Sequence, residues 1–295
     1  MRSSLLPVIV LLGASTLWGL TWLPLKYFGE HGIGGALVTL GGHGSVGLVA
    51  LAWLAVRRGA WLAGWRSMLL LALFGGLANL AFSIAMQRGD VTRVMALFYL
   101  LPAWGVLLAR AFLEERIDAK RWLSLVFALS GAFLVLGGRR LLVAPPTWID
   151  GLAVLSGFTL AVNNVAFRKA RALPIASKVA AVFVGSLAWA LVAVGIGSGG
   201  TGVTSDPVIW LEVVLFGAIW ILAATAGTLF GVNHLEASRS SVLIVMELVT
   251  AVVSSALVLG ALPDAGGCAG GALILASALL EALRNEASVE SSARA

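Results

Sequence analysis

Several long stretches of this chain carry no charge at all. Ser3–Leu25, Gly32–Val56, Ser67–Gln87 and Val179–Ser205 contain no Asp, Glu, Lys or Arg. A helix rising about 1.5 Å per residue needs only about 20 residues to cross roughly 30 Å of hydrocarbon, so runs of this length predict membrane spans. The composition agrees, because 12% charged residues is about half the usage of a soluble domain. The first run follows Arg2 and is too long for the apolar core of a secretory signal, about 7 to 15 residues, so it is read as a retained first helix.

Hydropathy and charge punctuation predict an all-α integral membrane protein of ten transmembrane helices, near 3–25, 33–56, 67–87, 91–112, 122–138, 150–168, 178–198, 207–230, 240–262 and 266–283. The longest polar pieces are Arg139–Asp150, Gly197–Pro207 and the tail from Arg284, and none is long enough for a core of its own. The tail, 285–295, is expected to be disordered. With the N-terminus in the cytoplasm, the inner segments hold Arg2, Arg57, Arg58, Arg66, Arg110, Arg116, Lys120, Arg121, Arg168, Lys169, Arg171, Lys178, Arg239, Arg284 and Arg294. The outer ones hold Lys26, Arg88, Arg93, Arg139 and Arg140. This split of 15 to 5 places both termini inside a cell inner (plasma) membrane by the positive-inside rule. Because the basic residues lie between apolar spans, the net charge of +6 points to anionic membrane lipids as partners and not to nucleic acid.

Cys268 is the only cysteine, so no intrachain disulfide and no cysteine-based metal cluster is expected. Gly42-x-Gly44-x-x-Gly47 has the spacing of a dinucleotide fingerprint, but that fingerprint needs a strand before it, and here it lies within an apolar span. The chain has no Walker A lysine loop and no H-E-x-x-H. No cofactor and no metal are expected, and ATP-driven pumping by this chain alone is not. At an offset of 146, Asp90-Val91-Thr92-Arg93 falls on Glu236-Ala237-Ser238-Arg239 and Leu97 on Leu243; near 143, Thr16 falls on Thr159 and Lys26 on Lys169. This self-similarity divides the chain into five-helix repeats at 1–145 and 146–284, and an odd number of spans per repeat inverts the second relative to the first.

At this point the sequence resembles the drug/metabolite transporter superfamily in its EamA-type, ten-helix branch. The resemblance rests on Trp18-Gly19 in the opening helix with Lys26 at its end, on Pro102 within the fourth helix, and on Glu114-Glu115-Arg116 followed by a Ser130-Gly131 helix. Glu247 matches the Glu of a Glu-Pro pair in the ninth helix, with Leu248 in place of the Pro. Within the family the pattern is most similar to YddG-type exporters of aromatic and other hydrophobic amino acids. The resemblance implies two inverted bundles around a central cavity that opens to each side in turn. It implies a secondary carrier, monomeric or weakly homo-oligomeric, that exports small amphipathic metabolites, with aromatic and other neutral amino acids the best-fitting substrates. Drugs or nucleotide-derived metabolites are the alternative cargo. An intramembrane enzyme would need a nucleophile–base pair or paired aspartates at membrane depth, and Glu247 has no evident partner of that kind.

Several residues are candidates for the transport chemistry. Glu247 is the only carboxylate deep in an expected span; it is read as a proton carrier or amine partner, or else as a protonated structural group. His43, near the middle of the second span, is read as structural, with a share in proton coupling as the other reading. Asn79, Asn163 and Asn164 need amide partners near the bilayer middle, either across helices or in a substrate. Asn163 and Asn164 point about 100° apart, so at most one faces a cavity squarely. Trp18, Trp22 and Tyr99 are read as an aromatic wall, against the interfacial belt to which Trp61, Trp65 and Trp122 belong. Pro102 is expected to kink the fourth helix as a hinge or a static bend. The small residues of Gly266–Ala272 suit close helix packing within the chain.

Overall fold

Hydrogen bonding at the helix ends marks out the elements. The structure is a computed structural model, and it describes residues 5–113, 119–135, 146–198, 203–235, 243–244, 246–260 and 264–293. In chain order the helices are α1 Leu6–Gly19, α2 Trp22–Glu30, α3 Gly35–Val56, α4 Trp65–Arg88, α5 Val91–Phe98, α6 Leu101–Leu113, α7 Ala119–Val135, α8 Trp148–Lys169, α9 Ile175–Gly195, α10 Pro207–Leu215, α11 Leu222–His234, α12 Met246–Leu259 and α13 Ala265–Ala293. Among the described residues there is no strand.

Local chemistry explains many of the boundaries. Thr147 and Asp150 form a reciprocal capping box at the start of α8. The Asp206 carboxylate accepts from the Val208 amide at 2.8 Å, with Pro207 in the first helical position of α10. At the other end, α2 and α9 close in Schellman motifs. Ile33 N–H reaches Phe28 O, Ser198 N–H reaches Ala193 O, and Gly32 and Gly197 take the left-handed conformation at φ 80° and 87° that only glycine adopts without strain.

Among the described residues, seven helical segments are long and apolar enough to cross a membrane: Leu6–Glu30, Gly35–Val56, Leu62–Arg88, Val91–Phe112, Trp148–Lys169, Ile175–Gly195 and Pro207–Val232. Shorter apolar helices at Trp122–Leu134, Met246–Leu259 and Ala265–Ser277 fall where three further spans are expected. α13 carries helical backbone on to Ala293, through residues where the sequence leads one to expect a disordered tail.

Two of the long spans are broken. The first stops at Gly19 and restarts at Trp22, and the fourth stops at Phe98 and restarts at Leu101. A kink at Pro102 is the sequence expectation, but the helix ends just before it. Pro102 then occupies the first turn of α6, where a missing N–H has no intrahelical acceptor to lose. Pro24 stands in the same relation to α2. Pro102 lies four residues after Phe98, whose carbonyl it would otherwise have bonded, and Pro24 lies five residues after Gly19.

The chain divides into two compact units, one of Met1–Thr21, Val91–Pro146 and Leu222–Ala295, the other of Trp22–Asp90 and Thr147–Ile221. In the first, α1 crosses α11 through glycines: a Cβ on Gly231 would lie 2.6 Å from Leu11 Cβ, and one on Gly227 would lie 2.9 Å from Ala14 Cβ. α7 meets α13 where a Cβ on Gly131 would lie 2.6 Å from Gly270 O, and Ser124 Oγ lies 3.0 Å from both Ser277 O and Ser277 Oγ. Within Gly266–Ala272 it is Gly270 that packs in this way, whereas nothing lies within 4 Å of a Cβ placed on Gly271. Such contacts hold apolar helices together in lipid, where the hydrophobic effect between them is absent.

In the second unit α4 lies against α9 along Gly76 and Gly185, with the Trp189 indole N–H donating to Leu73 O at 2.9 Å. The glycines of the false dinucleotide motif have packing roles. Gly42 faces the Gly217 backbone, Gly44 faces Leu187, and Gly47 faces Phe183 O at 2.7 Å from where a Cβ would stand. Large apolar side chains cover outward surfaces, among them Val49 at 71% and Leu191 at 54% exposed, as lipid-facing positions require. Trp65 and Trp122, assigned to the interfacial belt, are exposed as well.

Cys268 lies exposed in the first turn of α13, just after Asp264 caps that helix through the Gly267 amide at 2.7 Å. With the expected topology, a membrane-impermeant maleimide added outside intact cells should label Cys268 and leave a Cys268→Ser variant unlabelled. Labelling confined to inside-out vesicles would reverse the orientation.

Candidate functional site

The first unit brings two of the sequence candidates together at the breaks. Tyr99, 5% exposed, is the residue at which the fourth span is interrupted, and its hydroxyl donates to Ile244 O at 3.3 Å. The same hydroxyl is hydrogen-bonded to the Glu247 carboxylate. Glu247 stands near the start of the described part of α12. The break in the first span lies on the same residue. Gly19 sits so close to α12 that a Cβ there would come within 2.5 Å of Glu247 O and 2.7 Å of Thr250 Cβ. Glycine in the Trp18-Gly19 pair therefore lets α1 end against the Glu247 turn, while Trp18 is partly exposed. A buried phenol, a carboxylate and two interrupted helices thus share one place. This arrangement can hold a proton on Glu247 or pair that group with an amine.

The remaining candidates lie in the second unit. Asn163 is buried and Asn164 exposed, so of this adjacent pair only Asn163 faces the protein interior. Its Oδ1 has no hydrogen-bond partner and lies 2.8 Å from the position a Gly75 Cβ would take. Leaving such a group unpaired costs about 1–3 kcal/mol. Asn79 bonds across helices, its Nδ2 donating to Ser186 Oγ at 3.0 Å, and Ser156 Oγ donates to Ala78 O at 2.9 Å. His43 is 4% exposed on a π-helical turn, Thr39–His43, with its ring 6.0 Å from that of Phe183. Its Nδ1 is buried without a partner. Trp22 is 2% exposed, which takes it out of any lipid-facing belt.

Some features escape a reading of the sequence, among them the Pro24 break, the Gly19–Glu247 approach and the Tyr99–Glu247 bond. Only the first has a local signal, since Pro24 sits within an apolar run as Pro102 does. Lys26, expected at the end of the first helix, ties α2 to the end of α4: its Nζ donates to Gly89 O at 2.9 Å and Gln87 O at 3.3 Å. Glu114–Arg116 and Glu236–Arg239 lie outside the described residues. Among the described residues no group of three or more His, Cys, Asp or Glu side chains is placed to hold a metal ion.

Helices of this length and apolarity, with a carboxylate at two broken spans, define a membrane protein of several spans. Residues 5–137, which hold α1 to α7, match the family model of the EamA-like transporter family. This supports the resemblance drawn from Trp18-Gly19, Lys26 and Pro102. A solved crystal structure of a protein 18% identical in sequence has a TM-score of 0.61 against this chain, covering 97% of this chain and 99% of that one. At that identity the likeness concerns the fold. No curated protein matches the chain.

Proposed function

We propose that this chain is a secondary transporter that exports small amphipathic metabolites, with aromatic and other neutral amino acids as its substrates. The observation that carries this reading is the match of residues 5–137 to a transporter family. The two broken spans beside Glu247 support it, because carriers with inverted repeats build substrate and ion sites at discontinuous helices. In this reading 1–145 and 146–284 are the two inverted five-helix repeats, and rocking one against the other opens the path to each side in turn. The protein lies in the inner membrane with both termini cytoplasmic, a reading that the basic asymmetry supports. Trp18 and Tyr99 give apolar contact to a substrate ring, about 0.5–1.5 kcal/mol per aromatic partner beyond area burial. Glu247 takes the substrate amine or the coupling proton.

Initial rates in proteoliposomes test the proposal. Flux of phenylalanine, tryptophan and leucine should saturate with concentration. Trp18→Ala should lower the aromatic rates several-fold while the size-exclusion profile stays that of the parent protein. Unchanged rates for every substrate in the panel would remove Trp18 from the site, and flux that never saturates would replace the carrier with a channel.

A further inference from the structure

A second place in the molecule combines a carboxylate with aromatic rings, away from the residues assigned above. In the second unit α2 and α10 flank a cleft of about 350 Å³ lined by Tyr27, Phe28, Glu212, Leu215, Phe216 and Trp220. Its rings form a connected wall. Tyr27 and Phe28 have centroids 5.5 Å apart, Phe28 and Phe216 5.7 Å, and Phe216 and Trp220 6.3 Å. The π-helical turn Phe216–Ile221 shapes this wall, as such turns re-aim side chains within a helix. Glu212 is held by a neutral donor, the Tyr27 hydroxyl, at 3.0 Å from Oε2. The basic residue next to Tyr27, Lys26, is engaged elsewhere, with the Gln87 and Gly89 carbonyls. A carboxylate with a phenol beside it and rings around it suits an ammonium, whose charge the carboxylate balances and whose methylene or methyl shell the ring faces attract.

Depth and surface indicate which ammonium. Glu212 is five residues past the start of α10 at Pro207, so it lies roughly 8 Å along the helix from the end of a segment long and apolar enough to span a membrane, as a site for a lipid headgroup requires. From the cleft, Leu211, Leu215 and Ile219 continue at intervals of four, 57%, 42% and 63% exposed, as an apolar stripe along one face. A stripe that leads from an ammonium site toward the hydrocarbon fits an acyl chain. We propose that this cleft is a binding site for an ammonium-bearing zwitterionic phospholipid, its amine at Glu212 among the rings and its chain along Leu211, Leu215 and Ile219. The site goes beyond the transport reading and does not depend on it.

Native mass spectrometry of the purified full chain tests this, with phosphatidylethanolamine and phosphatidylglycerol of identical acyl chains added in turn. Phosphatidylethanolamine adducts should survive activation several-fold better than phosphatidylglycerol adducts. Glu212→Gln, and independently Trp220→Leu, should bring phosphatidylethanolamine down to the phosphatidylglycerol level without changing the latter. Each variant must first elute as a monodisperse species. Equal retention of the two lipids by the parent protein overturns the proposal, and so does parent-like retention in both variants. If phenyltrimethylammonium binds in a Glu212-dependent way while phosphatidylethanolamine shows no preference, the occupant is a soluble cation and the lipid assignment falls.

Discussion

Gly185→Ala is expected to melt well below the parent protein, by far more than alanine at a helical glycine with open space around it. Adding one methyl group to a packed interior ordinarily costs about 1–3 kcal/mol, because neighbouring side chains rotate or shift to make room. At Gly185 the neighbour is the backbone carbonyl of Ala72 in α4, which cannot rotate away without breaking its own helix. The only relief is for α4 and α9 to move apart. That would stretch the Trp189–Leu73 and Asn79–Ser186 bonds on the same face. The loss should therefore reach or exceed the top of that range, about 3 kcal/mol. Gly105→Ala in α6 is the control. Nothing lies within 4 Å of its Cβ position, and alanine favours a helix over glycine by about 1 kcal/mol. Thermal melting followed by fluorescence-detected size exclusion should rank Gly185→Ala lowest and Gly105→Ala at or above the parent. If Gly185→Ala melts with the parent, α4 and α9 do not approach as closely as the structure has them.

Glu247→Gln should abolish the proton-driven part of transport and leave exchange of substrate for substrate in place. Glutamine keeps the shape of glutamate and can still bond to the Tyr99 hydroxyl, but it holds no exchangeable charge. Under the proposed mechanism the stimulation of initial rate by a pH gradient should fall at least tenfold, while counterflow of preloaded phenylalanine stays within about twofold of the parent, a difference of about 0.4 kcal/mol. Tyr99→Phe removes the hydroxyl that bonds to Ile244 O and to Glu247 but keeps the ring. It should retain aromatic binding and weaken the coupled rate, thereby separating the two roles assigned to this place. Rates in proteoliposomes with and without a pH gradient, normalised to the folded fraction, decide the matter. A Glu247→Gln protein still driven by the gradient would mean that another group carries the proton.

The helices and their membrane character are legible in the chain because both are local properties. A run of about 20 apolar residues must satisfy its backbone within itself once in lipid, so its sequence suffices to name it a span. Glu247 stood out for the same reason, as a carboxylate inside such a run. The adjacent pair Asn163 and Asn164 was legible only as a rotation: helical geometry separates the two side chains by about 100°, but it took the packing of Gly75 against α8 to show that Asn163 is the buried one. Pro102 illustrates the limit. Its chemistry announces a disturbance in the fourth span, yet whether a span bends or stops depends on whether the freed carbonyls find other partners.

What only the tertiary structure decided is which distant residues meet. Nothing in the order of residues says that Gly19 lies on the turn of Glu247, that Tyr99 bonds to that carboxylate, or that Gly42 faces Gly217. In a soluble domain the pattern of apolar faces helps to orient helices toward one another. Here nearly every face is apolar, so hydrophobicity does not distinguish the inside from the lipid side. Small residues and a few hydrogen bonds select the partners, and a glycine becomes informative only when the helix that fills the space beside it is known.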